Sequence, residues 1–221
     1  MATVWKFISS SIGTKFIIAV SGLCLFAFLV VHLAGNLLIF LGPEALNRWG
    51  HLLVSNPLTI PAEIGLALIF LIHAYKAVLM WWDNRRARPS GYAEKKWAGH
   101  TSRKNVGSAT MIVSGPIVFA FVVWHVLTFK YGPVYEAAEP GVRDLSRLIY
   151  EAFSQPLVAG LYVLVMILIG LHLRHGLASA CQSLGADGPR FTPVAIVAGT
   201  ILAVLIGAGF AVIPIWVFFL R

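Results

Sequence analysis

SGLCLFAFLVVH, residues Ser21 to His32, recurs as SGPIVFAFVVWH at Ser114 to His125. Both copies begin Ser-Gly, carry Phe-Ala-Phe in the middle and end on a histidine within apolar sequence. Eleven residues of helix turn through about 1100°, close to a whole number of turns, so the serine and histidine of each copy share a face. A second repeat is interleaved with the first. SNPL at Ser55 to Leu58 leads to His73, and SQPL at Ser154 to Leu157 leads to His172, with the same proline-to-histidine spacing. The chain therefore holds two copies of a two-helix unit, each helix carrying one histidine.

Composition places these helices in lipid. Of the 221 residues, 58% are hydrophobic and 12% charged, with a mean hydropathy of +0.82. Soluble domains carry about 25% charged residues. The apolar runs are long and continuous, which excludes the short alternating segments of a transmembrane β-barrel. Helices satisfy their backbone hydrogen bonds internally, as a bilayer requires. The fold class expected is all-α: an integral membrane bundle of five transmembrane helices in a single domain, 1–221. The spans expected are about 16–41, 59–82, 107–130, 155–180 and 193–220, each near or above the ~20 residues needed to cross. The first run is too long for a typical signal-peptide core and lacks an obvious small-residue cleavage site, so it reads as a retained helix.

The net charge of +8 does not point to nucleic acid, because the cations sit in short loops beside apolar spans. Twelve Lys and Arg fall on the side or span ends of the N terminus. Five, Arg48, Lys130, Arg143, Arg147 and Arg221, fall opposite. That asymmetry favours a cytoplasmic N terminus and an external C terminus in a bacterial-type cytoplasmic membrane. Spans one and three then reach His32 and His125 late, in the outer half, while spans two and four reach His73 and His172 late, in the inner half. Direction, depth and repeat membership give one pairing, His32 with His125 and His73 with His172, on levels about 12 Å apart at 1.5 Å per residue.

Single histidines in apolar helices are often hydrogen-bonded core residues. Four, in pairs on a repeated spacing, point to ligands, because an imidazole in lipid is costly without a partner. Zinc normally takes three or four protein ligands at one point, whereas each level offers two. Two imidazoles facing each other suit a flat macrocycle held from both faces. The expectation is two non-covalent haem b groups. Cys24 and Cys181 are too few and too far apart for an iron–sulfur cluster or a CxxCH attachment, and read as small packing residues. Gly22, Gly35, Gly115, Gly170 and Gly176 suit close approach of either helices or a porphyrin.

Ser21 and Ser114 are candidates for the haem or quinone environment. So are Lys76 and Arg103 at the inner end, and Arg48, with Asn47, and His51 at the outer end. His175, one turn after His172, reads as a propionate or quinone contact. Glu63 and Glu44 are candidate proton acceptors for a quinol at the outer side. Topology-setting or interfacial placement accounts for most of these charges equally well.

GPEALNRWGHLL (residues 42–53), HLRHGLASACQSLG (172–185) and histidines in the first four of five spans resemble the cytochrome b558 membrane subunit of succinate dehydrogenase or fumarate reductase, of the di-haem, single-anchor class. The resemblance covers essentially the whole chain. It implies that four histidines bind a haem near the soluble subunits (His73, His172) and an outer haem (His32, His125). It implies a flavoprotein and an iron–sulfur protein as partners, and electron passage between the latter and quinone. Menaquinone is the usual quinone of this class; no residue here selects it. The chain has no nucleotide fingerprint or cluster ligands, so succinate chemistry would lie in the partners. The mid-span regions lack Asp and Glu, which weakens a built-in proton path of the kind some fumarate-reducing members use and mildly favours succinate oxidation. Two alternatives stand at this point: a di-haem cytochrome b of a hydrogenase or formate dehydrogenase, and a haem-free membrane anchor or transporter.

Overall fold

A computed structural model describes residues 2–87 and 106–220. Among the described residues five helices are long and apolar enough to cross a membrane: Ser11–Leu41, Thr59–Arg86, Thr110–Phe129, Pro156–Ser183 and Phe191–Leu220. They match the five expected spans, and the chain is a multi-pass membrane protein. In chain order the helices are α1 (Ala2–Ser9), α2 (Ser11–Asn36), α3 (Pro43–Ser55), α4 (Thr59–Arg86), α5 (Val106–Phe129), α6 (Leu145–Phe153), α7 (Pro156–Ser183) and α8 (Phe191–Leu220). A 3-10 turn, Leu37–Leu41, prolongs α2.

Small residues set the closest packing, between α7 and α8. A Cβ built on Gly207 would lie 3.1 Å from the Met166 carbonyl oxygen and 3.4 Å from Gly170 Cα, and one on Gly199 would lie 3.3 Å from Leu177 Cβ. In lipid there is little hydrophobic drive between helices, so close backbone approach and van der Waals contact hold them. Gly170 thus serves helix packing. Gly35 serves the seating of Trp49, whose indole would collide with any Cβ there.

Among the described residues three short helices lie outside the spans: α1 ahead of the first, and α3 and α6 in stretches that read as loops. Each is amphipathic. Their apolar stripes become clear only when a neighbour covers them. Leu46 of α3 and Leu148, Ile149 and Phe153 of α6 are buried. A polar clasp joins the two helices. Asn47 donates to Asp144 Oδ1 at 2.8 Å and accepts from the Ser146 backbone N–H at 3.0 Å, while Ser146 Oγ donates to Asp144 at 2.6 Å. Asn47 is thereby committed to the α3–α6 contact and not to a haem propionate. Asp144 also caps α6 through the Arg147 N–H. Partial burial works against its charge, but hydrogen bonds from Ser146, Asn47 and the Arg147 N–H hold its carboxyl below the usual range. At the other end of the bundle, Lys76 Nζ donates to the Ile8 carbonyl at 3.0 Å, tying α4 to the last turn of α1.

Gly207→Leu drives a side chain into the α7 backbone and lowers thermal stability in detergent by about 1–3 kcal/mol, the usual cost of overpacking. Asn47→Ala strands the Ser146 N–H and one face of Asp144, costing about 1–3 kcal/mol, read as faster proteolysis of the 131–154 segment. A carboxylate with a depressed folded pKa adds stability above its unfolded pKa and loses it as pH falls through the folded value. The clasp therefore holds at neutral pH and opens only in acid below the ordinary aspartate range, an extra acid sensitivity that Asn47→Ala lessens and Asp144→Asn abolishes.

Candidate haem-binding site

The two serines of the repeat sit where the helical spacing puts them, and each meets a histidine from the second helix of its own unit. Ser21 Oγ on α2 lies 3.1 Å from His73 Nδ1 on α4. Ser114 Oγ on α5 lies 3.3 Å from His172 Nδ1 on α7. Ser21 gives its one proton to the Ile17 carbonyl at 2.6 Å, so its oxygen can only accept from His73. That places the His73 proton on Nδ1 and leaves the Nε2 lone pair free. A ring nitrogen fixed as a donor to a neighbour, with the other free, is the arrangement of metal-ligating histidine. Gly22 belongs to the same seat: a Cβ there would lie 3.1 Å from His73 Cε1. At the matching position of the second unit, a Cβ on Gly115 would meet nothing within 4 Å. His172 lies within electrostatic reach of both His73 and His175.

The second pair is nearer the α3/α6 end. The rings of His32 and His125 meet edge to face, with centroids 5.8 Å apart and planes at 86°. Two histidines on opposite sides of one ion, at nitrogen–metal bonds of about 2 Å, have ring centres roughly 6 Å apart, so this separation fits one iron between them. His125 Nδ1 lies 3.1 Å from the Tyr162 hydroxyl. His32 is held differently. Asn36 donates to the His32 carbonyl at 2.8 Å and lies 3.4 and 3.5 Å from its two ring nitrogens, so it selects neither. Phe28 stacks on the His32 ring at 5.2 Å.

His73 sits at the level of Ser21, and His32 lies eleven residues further along α2. Along α7, Tyr162 sits at the level of His125, and His172 lies ten residues away. At 1.5 Å per residue both helices put the two levels about 15–16 Å apart, more than the ~12 Å that span positions alone suggest. All four histidines are half-buried rather than sealed in protein, which leaves ring edges open to a large apolar ligand. Among the described residues no three His, Cys, Asp or Glu side chains come together, so the histidines stand in twos. Donor type, pairing and open flanks fit haem.

The other candidates are spread out. Glu63 pairs with Lys130, Arg48 with Glu139 at 3.3 Å, and His51 contacts Ser55 at 3.3 Å on the surface. Lys76 is engaged with α1, and Arg174 donates to Thr200 at 3.3 Å. Arg103 lies outside the described residues. Tyr162 is the site residue that sequence reading misses; its signal is a phenol ten residues, nearly three turns, before a span histidine. Trp124, next to His125 in sequence, packs on Tyr162 with ring centroids 5.1 Å apart.

The chain is similar to the succinate dehydrogenase cytochrome b558 subunit of Bacillus subtilis (strain 168), with 28% identity over 160 residues, 72% of each chain. The resemblance read from the sequence is thus borne out. No family model matches, and no solved structure does.

Proposed function

We propose, on the strength of that likeness and of two histidine pairs, that this chain is the di-haem cytochrome b anchor of a succinate:quinone oxidoreductase. It passes electrons between an iron–sulfur subunit and membrane quinone. The observation that carries the reading is the repeated serine-to-histidine contact, Ser21 to His73 and Ser114 to His172, which prepares two imidazoles on one level as ligands. His73 and His172 hold one haem b, and His32 and His125 hold the other. Bound haem supplies reversible one-electron iron chemistry.

The protein's part is to fix the rings, exclude water and set the spacing. Ser21, as an acceptor, sets the His73 tautomer, Ser114 stands behind His172 Nδ1, and helix α2 carries both Ser21 and His32. The α1 end faces the cytoplasm by the charge count and meets the iron–sulfur subunit, which in turn joins a flavoprotein. Quinone, menaquinone in this class, exchanges electrons from the membrane. Glu63, held as an ion pair with Lys130, stands at the opposite end as a carboxylate for quinol protons.

His73→Ala and His172→Ala each remove the same haem, and His32→Ala and His125→Ala remove the other, counted by pyridine haemochrome and redox titration of the purified complex. Loss of one redox component from both His32→Ala and His73→Ala would contradict the pairing. Ser21→Ala and Ser114→Ala keep both haems and raise the midpoint potential of the His73/His172 component alone, because losing the acceptor for Nδ1–H makes the ligand less basic. A wild-type complex with no b-type absorbance sinks the whole reading.

A further inference from the structure

The internal repeat makes α2 and α4 equivalent to α5 and α7, and the two Ser–His contacts obey it. The equivalence extends to the other level. Tyr162 lies six residues after Pro156, and Glu63 lies six residues after Pro57. Tyr162 and Glu63 therefore occupy the same place in their units, and symmetry would direct the one at His125 and the other at His32. Tyr162 reaches His125. Glu63 instead pairs with Lys130 on the α5 side, and His32 is left with the nonselective amide of its own-helix neighbour Asn36.

Tyr162 is also unusually well fixed. It is 5% exposed. Its ring meets Phe121 and Phe153 edge-on, each at 4.9 Å, with Trp124 at 5.1 Å and Phe129 at 6.0 Å. A buried tyrosine hydroxyl normally finds a hydrogen-bond partner; among the described residues this one has His125 alone. The contact occupies Nδ1, so Nε2 is the nitrogen left for the iron; with Nε2 used as a ligand the ring's one proton sits on Nδ1, and the Tyr162 oxygen then receives it.

We infer that Tyr162 is the positioning residue of the His32/His125 level: it accepts the Nδ1 proton of His125, fixes that ring across from His32 and tunes one iron and not the other. This rests on the di-haem reading above. A hydrogen-bond acceptor behind an imidazole raises its basicity, and a more basic axial ligand favours the ferric state. The oxygen of Tyr162 thus holds this potential below the value an unsupported His125 would give. His32 adds no comparable fixed acceptor, so the tuning of this level falls on one residue, whereas the His73/His172 level has two.

The test is Tyr162→Phe in the complete complex, which keeps the ring inside its cage and deletes one oxygen. Tyr135→Phe, whose hydroxyl bonds Glu151 in the outer segment, is the control, and Phe129→Leu is the cage control. Tyr162→Phe is expected to raise the midpoint of the component that the His32 and His125 variants remove. The other midpoint stays put, and Tyr135→Phe moves neither. Selective loss of that one haem from Tyr162→Phe, with both retained in Phe129→Leu, also supports the assignment. Two unmoved midpoints, an equal shift in both, or loss of both haems overturns it. A wild-type complex without haem fails the parent reading instead, so the two failures are separable.

Discussion

One hydroxyl with one proton organises the bundle. Ser21 lends its proton back to the Ile17 carbonyl of its own helix, which leaves its oxygen able only to receive. That turns an ambiguous imidazole into one with a defined free nitrogen. The contact is also a register mark: it fixes how far α4 can slide along α2. The equivalent contact does the same for α7 along α5. With little hydrophobic drive between helices in lipid, a few polar contacts of this kind, together with glycine-lined approaches such as Gly170 to Gly207, decide the alignment.

Once that register is set, the second level has little freedom. Eleven residues of helix carry the face from Ser21 to His32 and from Ser114 to His125, so two helices bring their histidines into opposition by length alone. The 5.8 Å between these rings is thus a consequence of spacing written in sequence. The cap of α3 and α6 then closes over this level, with Phe153 against Tyr162 at 4.9 Å. The Asn47–Asp144–Ser146 clasp is what keeps the cap in place.

The spans and the face each serine takes on its span were legible because long apolar runs and an eleven-residue repeat are strong signals needing no partner. The short helices α1, α3 and α6 were not. Each is eight to thirteen residues long, too short to be stable alone, and α3 and α6 are joined through contacts nearly a hundred residues apart in sequence. Asn47 looked like a donor for an outer ligand because it neighbours Arg48 and His51 in a polar stretch. Its actual partners are nearly a hundred residues away. The charged candidates went the same way: Lys76, Arg48 and Glu63 each meet a protein partner that no local pattern announces.

Tyr162 shows how an internal repeat can be read more deeply than by matching letters. Tyrosine and glutamate share no motif, so the equivalence of Tyr162 and Glu63 is invisible to a search for identical residues. It emerges from counting six positions past each proline. The divergence has a physical consequence. A neutral phenol can stay beneath the α6 cap against a histidine, whereas a carboxylate at the same depth in the other unit would be costly to bury unpaired. Glu63 is found with its Lys130 partner, both side chains a little over 40% exposed. The two units are alike in spacing, and the difference at this one position leaves His125 in contact with Tyr162 while His32 has only Asn36 of its own helix.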